Sequence, residues 1–219
     1  MSSDGTRAAG ELFIVSAPSG TGKTTVIRRL LAGGWLPEGS LEFSISHTTR
    51  APRDGEADGA DYYFVGAETF DTMVREDAFL EWAEVYGNRY GTSREEVDSR
   101  LRRGADVLLE IDVQGARQVV ERAPGAHGIL IVPPSYAELE RRLRGRDSDA
   151  PEAITRRLGV SASEIRCYEQ YDYVIINLDA ERAAQAVAAI ILEKRHRLER
   201  MRGPVEAILR EFPPNASRP

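Results

Sequence analysis

The feature that most constrains the fold is an apolar strand that runs directly into a glycine-rich loop and then into a helix. Leu12–Ala17 is continuously apolar or small, residues 17–24 contain two glycines and a lysine, and Lys23–Ala32 has a helical apolar spacing that Gly33 ends. A fully apolar strand of this length is typical of the centre of a parallel sheet. The order strand, glycine loop, helix therefore predicts an α/β domain.

The loop itself matches the phosphate-binding pattern G-x-x-x-x-G-K-[ST] at Gly22, Lys23 and Thr24, with Ala17 at the first glycine. Glycines let backbone N–H groups surround phosphates, the lysine neutralises them, and the threonine hydroxyl is a ligand for Mg²⁺. Because alanine replaces the first glycine of the pattern, the backbone at Ala17 must adopt a conformation that residues other than glycine can also adopt. A chance glycine-rich turn is the alternative, which the position between strand and helix disfavours. The predicted phosphate-binding residues are Ala17, Pro18, Ser19, Gly20, Thr21, Gly22, Lys23, Thr24 and Thr25.

Further apolar runs alternate with amphipathic stretches along the chain, which predicts a parallel sheet covered by helices on both faces. The predicted strands are Asp106–Ile111, Gly128–Val132 and Tyr173–Asn177, and the predicted helices are Gly115–Arg122, one capped by Ser135, one from Pro151 and one from Ala180 to about Arg202. We expect one domain over 11–202, made of a core (11–42, 93–144, 159–202), an insertion (43–92) and an arginine-rich lid (145–158), with tails at 1–10 and 203–219.

Composition excludes several classes of protein. The 219 residues carry a net charge of −6, which disfavours a strongly basic nucleic-acid binder. The single cysteine, Cys167, allows no internal disulfide and no cysteine metal cluster. No apolar run approaches the ~20 residues that span a membrane, and residues 1–10 have no apolar signal segment. We therefore expect a cytoplasmic location and neither membrane nor nucleic acid as a partner.

The insertion contains a basic clamp. Arg50 and Arg53 stand three residues apart around a proline, and such a pair suits a phosphate held by several hydrogen bonds. The hydroxyls of Tyr62 and Tyr90 are further donors to the same phosphate. The alternative is a solvated arginine pair on a loop.

A carboxylate between two large apolar residues is the second notable feature of the insertion. Glu81 lies between Leu80 and Trp82. Guanine presents N1–H and N2–H₂ side by side, so one carboxylate accepts both, whereas adenine would leave it unpaired. Ser46 and Thr92 are candidate donors to guanine O6. The alternative is a surface carboxylate on an amphipathic strand.

Taken together, these motifs resemble the bacterial guanylate kinase family from about Leu12 to about Lys194. The motifs that carry the resemblance are the phosphate loop and residues 46–56 (SHTTRAPRDGE), 61–64 (DYYF), 81–92 (EWAEVYGNRYGT) and 110–116 (EIDVQGA). The resemblance implies a three-layer α/β nucleoside-monophosphate kinase fold with a GMP-binding insertion. It implies transfer of a phosphoryl group from ATP to GMP, and also to dGMP, with Mg²⁺.

The resemblance also assigns residues. Ser46, Glu81 and Thr92 would read guanine, and Arg50, Arg53, Tyr62 and Tyr90 would hold the GMP phosphate. Glu56 would organise the arginine clamp, and Asn177 would lie near the adenine of ATP. Asp112 would serve either the base or the outer shell of the metal, a choice that the sequence leaves open. The implied catalytic residues are Lys23, Arg50 and the lid arginines Arg142, Arg146 and Arg157, with Thr24 as the metal ligand.

Two other functions compete with this interpretation. Guanylate-kinase-like interaction modules resemble the fold but typically lose the phosphate-loop lysine, which is present here as Lys23. A related kinase for a phosphorylated sugar would need no base-reading insertion, so Glu81, Thr92 and the clamp argue against it. The oligomeric state is not predicted.

Overall fold

A computed structural model describes residues 9–85, 87–145 and 151–212. In these ranges the strands are β1 (Leu12–Ser16), β2 (Leu41–Phe43), β3 (His47–Thr48), β4 (Tyr63–Phe64), β5 (Phe79–Val85), β6 (Asn88–Ser93), β7 (Asp106–Glu110), β8 (His127–Val132) and β9 (Tyr173–Ile176). The helices are α1 (Lys23–Ala32), α2 (Ala67–Arg75), α3 (Arg94–Arg102), α4 (Val113–Arg122), α5 (Tyr136–Arg144), α6 (Pro151–Ile165), α7 (Ala180–Arg195) and α8 (Leu198–Glu211), with a short 3-10 turn at Tyr168–Gln170.

The core is a five-stranded parallel sheet in the order β2-β7-β1-β8-β9. Every residue of β1 is buried, because the strand is central and helices cover both faces. Phe13 and Val15 point into one apolar layer and Leu12 and Ile14 into the other. The three-layer α/β fold predicted from the sequence is confirmed. Within the described residues, no helix combines the length and the apolar character needed to cross a bilayer.

The insertion forms a second, smaller sheet in the order β4-β3-β6-β5. It starts after Phe43, which still belongs to the core strand β2, and it ends at Ser93, whose hydroxyl caps α3 by accepting the Glu96 N–H. Gln118 of α4 hydrogen-bonds both the backbone N–H and the carbonyl of Trp82, so α4 ties this sheet to the core. The insertion is thereby placed beside the carboxyl ends of the core strands.

The carboxyl-terminal prediction is wrong. The single helix expected from Ala180 to about Arg202 is two helices, α7 and α8, and residues 203–211 of the expected tail are helical. The break lets Arg195 and Arg200 both reach the fully buried carboxylate of Asp106, at 2.5 and 2.7 Å. Five residues apart in one continuous helix, they would point about 140° away from each other.

Parts of three other predictions lie outside the described residues. These are most of the tail at 1–10, the 146–150 part of the lid with Arg146, and residues 213–219. Gly10 belongs to the domain, because its N–H donates to the Leu101 carbonyl at 2.8 Å. The rest of the lid is the first half of α6, which begins at Pro151 as predicted.

Candidate active site

The glycine-rich loop joins β1 to α1 in the conformation that its composition requires. Gly20 and Gly22 have φ of 86° and 94°, values that favour glycine. Ala17 is not among the described residues with positive φ, so alanine is accommodated without strain. No side chain caps α1, so its first N–H groups are available to an anion.

The loop lysine lies at the ends of two core strands. Lys23 Nζ donates to the Ile111 carbonyl at 2.9 Å and lies 4.0 Å from Glu110 Oε1. The same Glu110 oxygen accepts the Thr24 hydroxyl at 2.8 Å. Glu110 was missed by sequence reasoning, which considered only Asp112 as the strand-end carboxylate. Its position as the last residue of β7 was the available signal.

Three adjoining cavities meet at Lys23. The donor cleft, about 460 Å³, lies between the loop and α6 and includes Ser19, Asp112 and Arg157 in its wall. The base pocket, about 210 Å³, is lined by Ser46, Glu81 and Asp112 among others. The clamp cavity, about 470 Å³, includes Arg53, Glu56 and Tyr62. Lys23 lines all three, so the loop and the insertion face one shared space.

In the clamp, Glu56 contacts the guanidinium of Arg50 and the backbone of Arg53. Its carboxylate accepts two hydrogen bonds from the Arg50 guanidinium, at 2.8 and 2.9 Å, and one from the Arg53 N–H at 2.8 Å. Hydrogen bonding to Arg50 lowers the pKa of Glu56. The Arg50 guanidinium also lies over the Tyr62 ring, whose centroid is 5.8 Å from that of Tyr90. The structure thus brings together all the residues predicted to hold the phosphate.

Glu81 lies on the inner wall of the base pocket and is only 3% exposed. A register shift in β5 between Phe79 and Glu81 sets Glu81 opposite Thr92 of β6. The Thr92 hydroxyl donates to Glu81 Oε1 at 2.6 Å. Burial raises the pKa of Glu81 to about 7, the Asp112 charge adds to the rise, and the Thr92 hydrogen bond opposes it. Thr92 therefore positions Glu81, because its hydroxyl proton is directed at that carboxylate.

Asp112 caps the amino terminus of α4, where its carboxylate accepts the Gly115 N–H at 2.8 Å. The other Glu81 oxygen, Oε2, lies so close to Gly115 that an added Cβ would be only 2.5 Å away. A glycine is therefore required at this position for Glu81 to keep its place. Asp112 lines both the base pocket and the donor cleft, whereas Glu110 is the carboxylate in contact with Thr24.

On the lid side, Arg157 of α6 reaches the loop directly and donates to the Ser19 hydroxyl at 2.7 Å. Arg142 is held behind the loop, where it donates to the carbonyls of Thr21 and Asn177, at 3.0 and 3.2 Å, and to Glu138. The Asn177 side-chain amide also donates to the Thr21 carbonyl, at 2.7 Å. In this structure Arg142 and Asn177 therefore hold the glycine-rich loop through hydrogen bonds to the Thr21 carbonyl.

Sequence reasoning also missed Glu164 of α6, in the wall of the donor cleft. It lies two helical turns from Arg157 and so on the same face of α6. Its buried Oε2 has no hydrogen-bond partner among the described residues. Burial raises the pKa of Glu164 to about 7, the Asp112 charge adds to the rise, and Lys23 opposes it. A glutamate among the other polar residues of this helix offered no sequence signal of this environment.

Comparisons with known proteins agree with the resemblance found in the sequence. A family model described as Guanylate kinase matches residues 9–194. A guanylate kinase of Alkalilimnicola ehrlichii is 48% identical over 93% of this chain and 98% of its own length. A guanylate kinase of Escherichia coli O157:H7 is 46% identical over 92% of this chain and 97% of its own length. The crystal structure of guanylate kinase from Anaplasma phagocytophilum superposes with a TM-score of 0.71 at 35% identity, covering 88% of this chain and 89% of that one.

Proposed function

Because the chain belongs to the guanylate kinase family, whose members phosphorylate GMP with ATP, we propose that the donor cleft binds ATP and that the base pocket and clamp cavity together bind GMP. One observation carries this division: Lys23 lines all three cavities. A phosphate on the loop and a phosphate in the clamp would therefore share one cation. Dual binding of this kind is what direct transfer between two nucleotides requires.

The proposed chemistry is electrostatic and needs no general base, since the attacking GMP phosphate oxygen is already anionic near neutral pH. Lys23 leaves the Ile111 carbonyl and neutralises the transferred phosphoryl group, while the first N–H groups of α1 hold the donor phosphates. Arg50, whose guanidinium Glu56 holds, and Arg53, whose backbone N–H donates to Glu56, orient the acceptor oxygen. Arg157, already on the loop, stabilises charge from the lid side.

The assignment of Arg142 and Asn177 is refined by their contacts. Both hydrogen-bond the Thr21 carbonyl, and Asn177 is 3% exposed. We propose that these two residues act mainly by holding the loop in shape. The family resemblance further suggests that Arg142 contacts the triphosphate, that Asn177 contacts adenine and that Arg146 acts in the lid. We retain these three assignments as proposals.

The residues present fit Mg²⁺ as the cofactor. The Thr24 hydroxyl and the Glu110 carboxylate lie 2.8 Å apart beside the loop, and both are oxygen donors. Mg²⁺ usually takes one or two protein oxygens and completes its shell with water and phosphates. We propose that Thr24 is the direct ligand and that Glu110 holds the outer shell. When bound, the ion would neutralise charge on the donor phosphates.

Base selection is proposed to depend on Glu81, with Ser46 and Asp112 beside it. Guanine would supply N–H donors to a buried carboxylate that already accepts the Thr92 hydroxyl. Adenine would offer no such donors, so the buried carboxylate would keep only its contact with Thr92 and lose the pairing of its second oxygen, at a cost of roughly 1–3 kcal/mol. The proposal places recognition on the base and the phosphate, so dGMP is an expected second acceptor.

The test is ADP release with ATP and Mg²⁺ when GMP, AMP, CMP and UMP are offered separately. Release with GMP alone is expected. A folded protein that binds GMP but releases no ADP would favour the interaction-module alternative. We also propose a cytoplasmic location, which the nucleotide substrates and the single cysteine favour.

A further inference from the structure

Gly115 lies in the first turn of α4, where the backbone conformation does not call for a glycine. It is buried, it follows the capping residue Asp112 by three positions, and its φ is not in the left-handed region. A glycine inside a helix is less favourable than an alanine. The reason for the glycine therefore lies in the space that a side chain would fill.

That space is occupied by the carboxylate of Glu81. A Cβ added to Gly115 would lie 2.5 Å from Glu81 Oε2, which is closer than nonbonded atoms in proteins approach. The same Cβ would lie 3.4 Å from Asp112 Oδ1, which is an ordinary contact, so the cap of α4 would remain. Glu81 Oε2 would have to move from 2.5 Å to that ordinary distance, a displacement of about 0.9 Å.

The base pocket, rather than the rest of the fold, has to absorb this displacement. Glu81 is buried, and Thr92 holds its other oxygen, Oε1, at 2.6 Å. A carboxylate pushed away from α4 either loses the Thr92 hydrogen bond or intrudes into the pocket, which Ser46 and Asp112 also line. Either change misplaces the acceptor for the guanine N–H groups, because hydrogen bonds weaken steeply when their geometry is distorted.

We propose that Gly115 is a positioning residue for base selection: the missing side chain lets Glu81 keep both oxygens where guanine N1–H and N2–H₂ reach them. This inference rests on the proposed function, because it concerns the same base pocket. Gly115 acts only through Glu81 and does not itself touch the nucleotide. Adenine lacks these donors, so the use of AMP should not depend on Gly115.

The test is Gly115→Ala in the full chain, measured by ADP release. The KM for GMP should rise roughly tenfold or more, the effect of one misplaced hydrogen bond to a charged group, while the KM for ATP and the use of AMP should change less than about threefold. Gly159→Ala is the matched control, because Gly159 is also a helical glycine, in α6, and a Cβ there would meet nothing within 4 Å. The control should leave both KM values unchanged.

A double variant separates this role from a general disturbance of α4. Aspartate is one methylene shorter than glutamate, so Glu81→Asp withdraws the carboxylate from Gly115. Glu81→Asp alone should raise the KM for GMP. In that background the further change Gly115→Ala should alter kcat/KM for GMP less than about threefold, because the overlap is already relieved.

Three results would overturn the proposal. They are an unchanged KM for GMP in Gly115→Ala together with a lower midpoint of urea unfolding, an equal rise of that KM in Gly159→Ala, and an equal loss from Gly115→Ala with and without Glu81→Asp. The first result would show that the fold absorbs the overlap. A folded wild type that releases no ADP with GMP would instead refute the proposed function, and this inference with it, before any variant is compared.

Discussion

Glu81 should make GMP binding depend on pH near neutrality. Burial raises the pKa of this carboxyl to about 7. Guanine N–H donors pair only with the ionised form, so the site is competent in proportion to ionisation, about 10% at pH 6 and about 90% at pH 8. The KM for GMP should therefore fall about tenfold between pH 6 and pH 8, which corresponds to about 1.4 kcal/mol.

The perturbation is Glu81→Gln, which removes the titrating group and one acceptor. The variant should use GMP roughly 10- to 100-fold less well at pH 8, and its preference for GMP over AMP should narrow. The assay is ADP release at saturating ATP with GMP varied at each pH. GMP's own phosphate titrates near pH 6 in both enzymes, so the ratio of wild-type to variant KM isolates Glu81.

Glu84→Gln is the matched control, because Glu84 lies on the same strand but is exposed. It should keep the wild-type pH dependence. The reasoning about Glu81 would be refuted by a KM ratio that is constant from pH 6 to pH 8, or by a Glu84 variant that loses the dependence as well.

Four further results are expected. Lys23→Ala should lower turnover about 10²- to 10³-fold or more without unfolding the protein, as ADP release and circular dichroism would show; full activity would remove the phosphate-loop argument. Arg53→Ala should raise the KM for GMP about tenfold or more and that for ATP much less, whereas equal effects would count against a dedicated clamp. Asp106→Asn should lower the free energy of unfolding, measured in urea, by about 3–5 kcal/mol, because two largely buried arginines lose their counter-charge. Its control is Glu181→Gln, which removes the exposed Arg29–Glu181 pair and should cost under about 1 kcal/mol. Glu81→Gln should stabilise the ligand-free protein by up to about 3 kcal/mol at pH 8 and should not stabilise it at pH 4. The reason is that the carboxyl of the folded protein keeps its proton up to about pH 7, whereas that of the unfolded chain keeps it only up to about pH 4.5. Equal stability of wild type and variant at pH 8 would contradict this.

Local features were predictable because neighbouring residues determine them. The strand Leu12–Ser16, the turn at Gly20 and Gly22, and the Ser135 cap that accepts the Glu138 N–H all follow from runs of a few residues. The clamp around Glu56 is also local, since its contacts span six residues or fewer. Periodicity, turn chemistry and motif spacing carry this information directly.

The break between α7 and α8 had no such signal. The apolar face of α7 gives no reason to stop at Arg195, and the contact that the break permits is with a buried aspartate 89 residues away. In the sequence Asp106 looks like an ordinary strand residue, because its burial is a property of the folded chain that the sequence does not show. The same limit applied to Glu164, whose exposure depends on how α6 lies against the donor cleft.

By itself the sequence determined the α/β class and the family, and it singled out the glycine-rich loop, the arginine pair and the carboxylate that we propose reads the base. Only the tertiary structure decided which groups meet: Glu110, rather than Asp112, contacts Thr24 from 86 positions away, and Asn177 reaches the Thr21 carbonyl from 156 away. It also decided that burial raises the pKa of Glu81 to about 7. Patterns report chemistry within a few residues, whereas partners and desolvation depend on distances that exist only once the chain is folded.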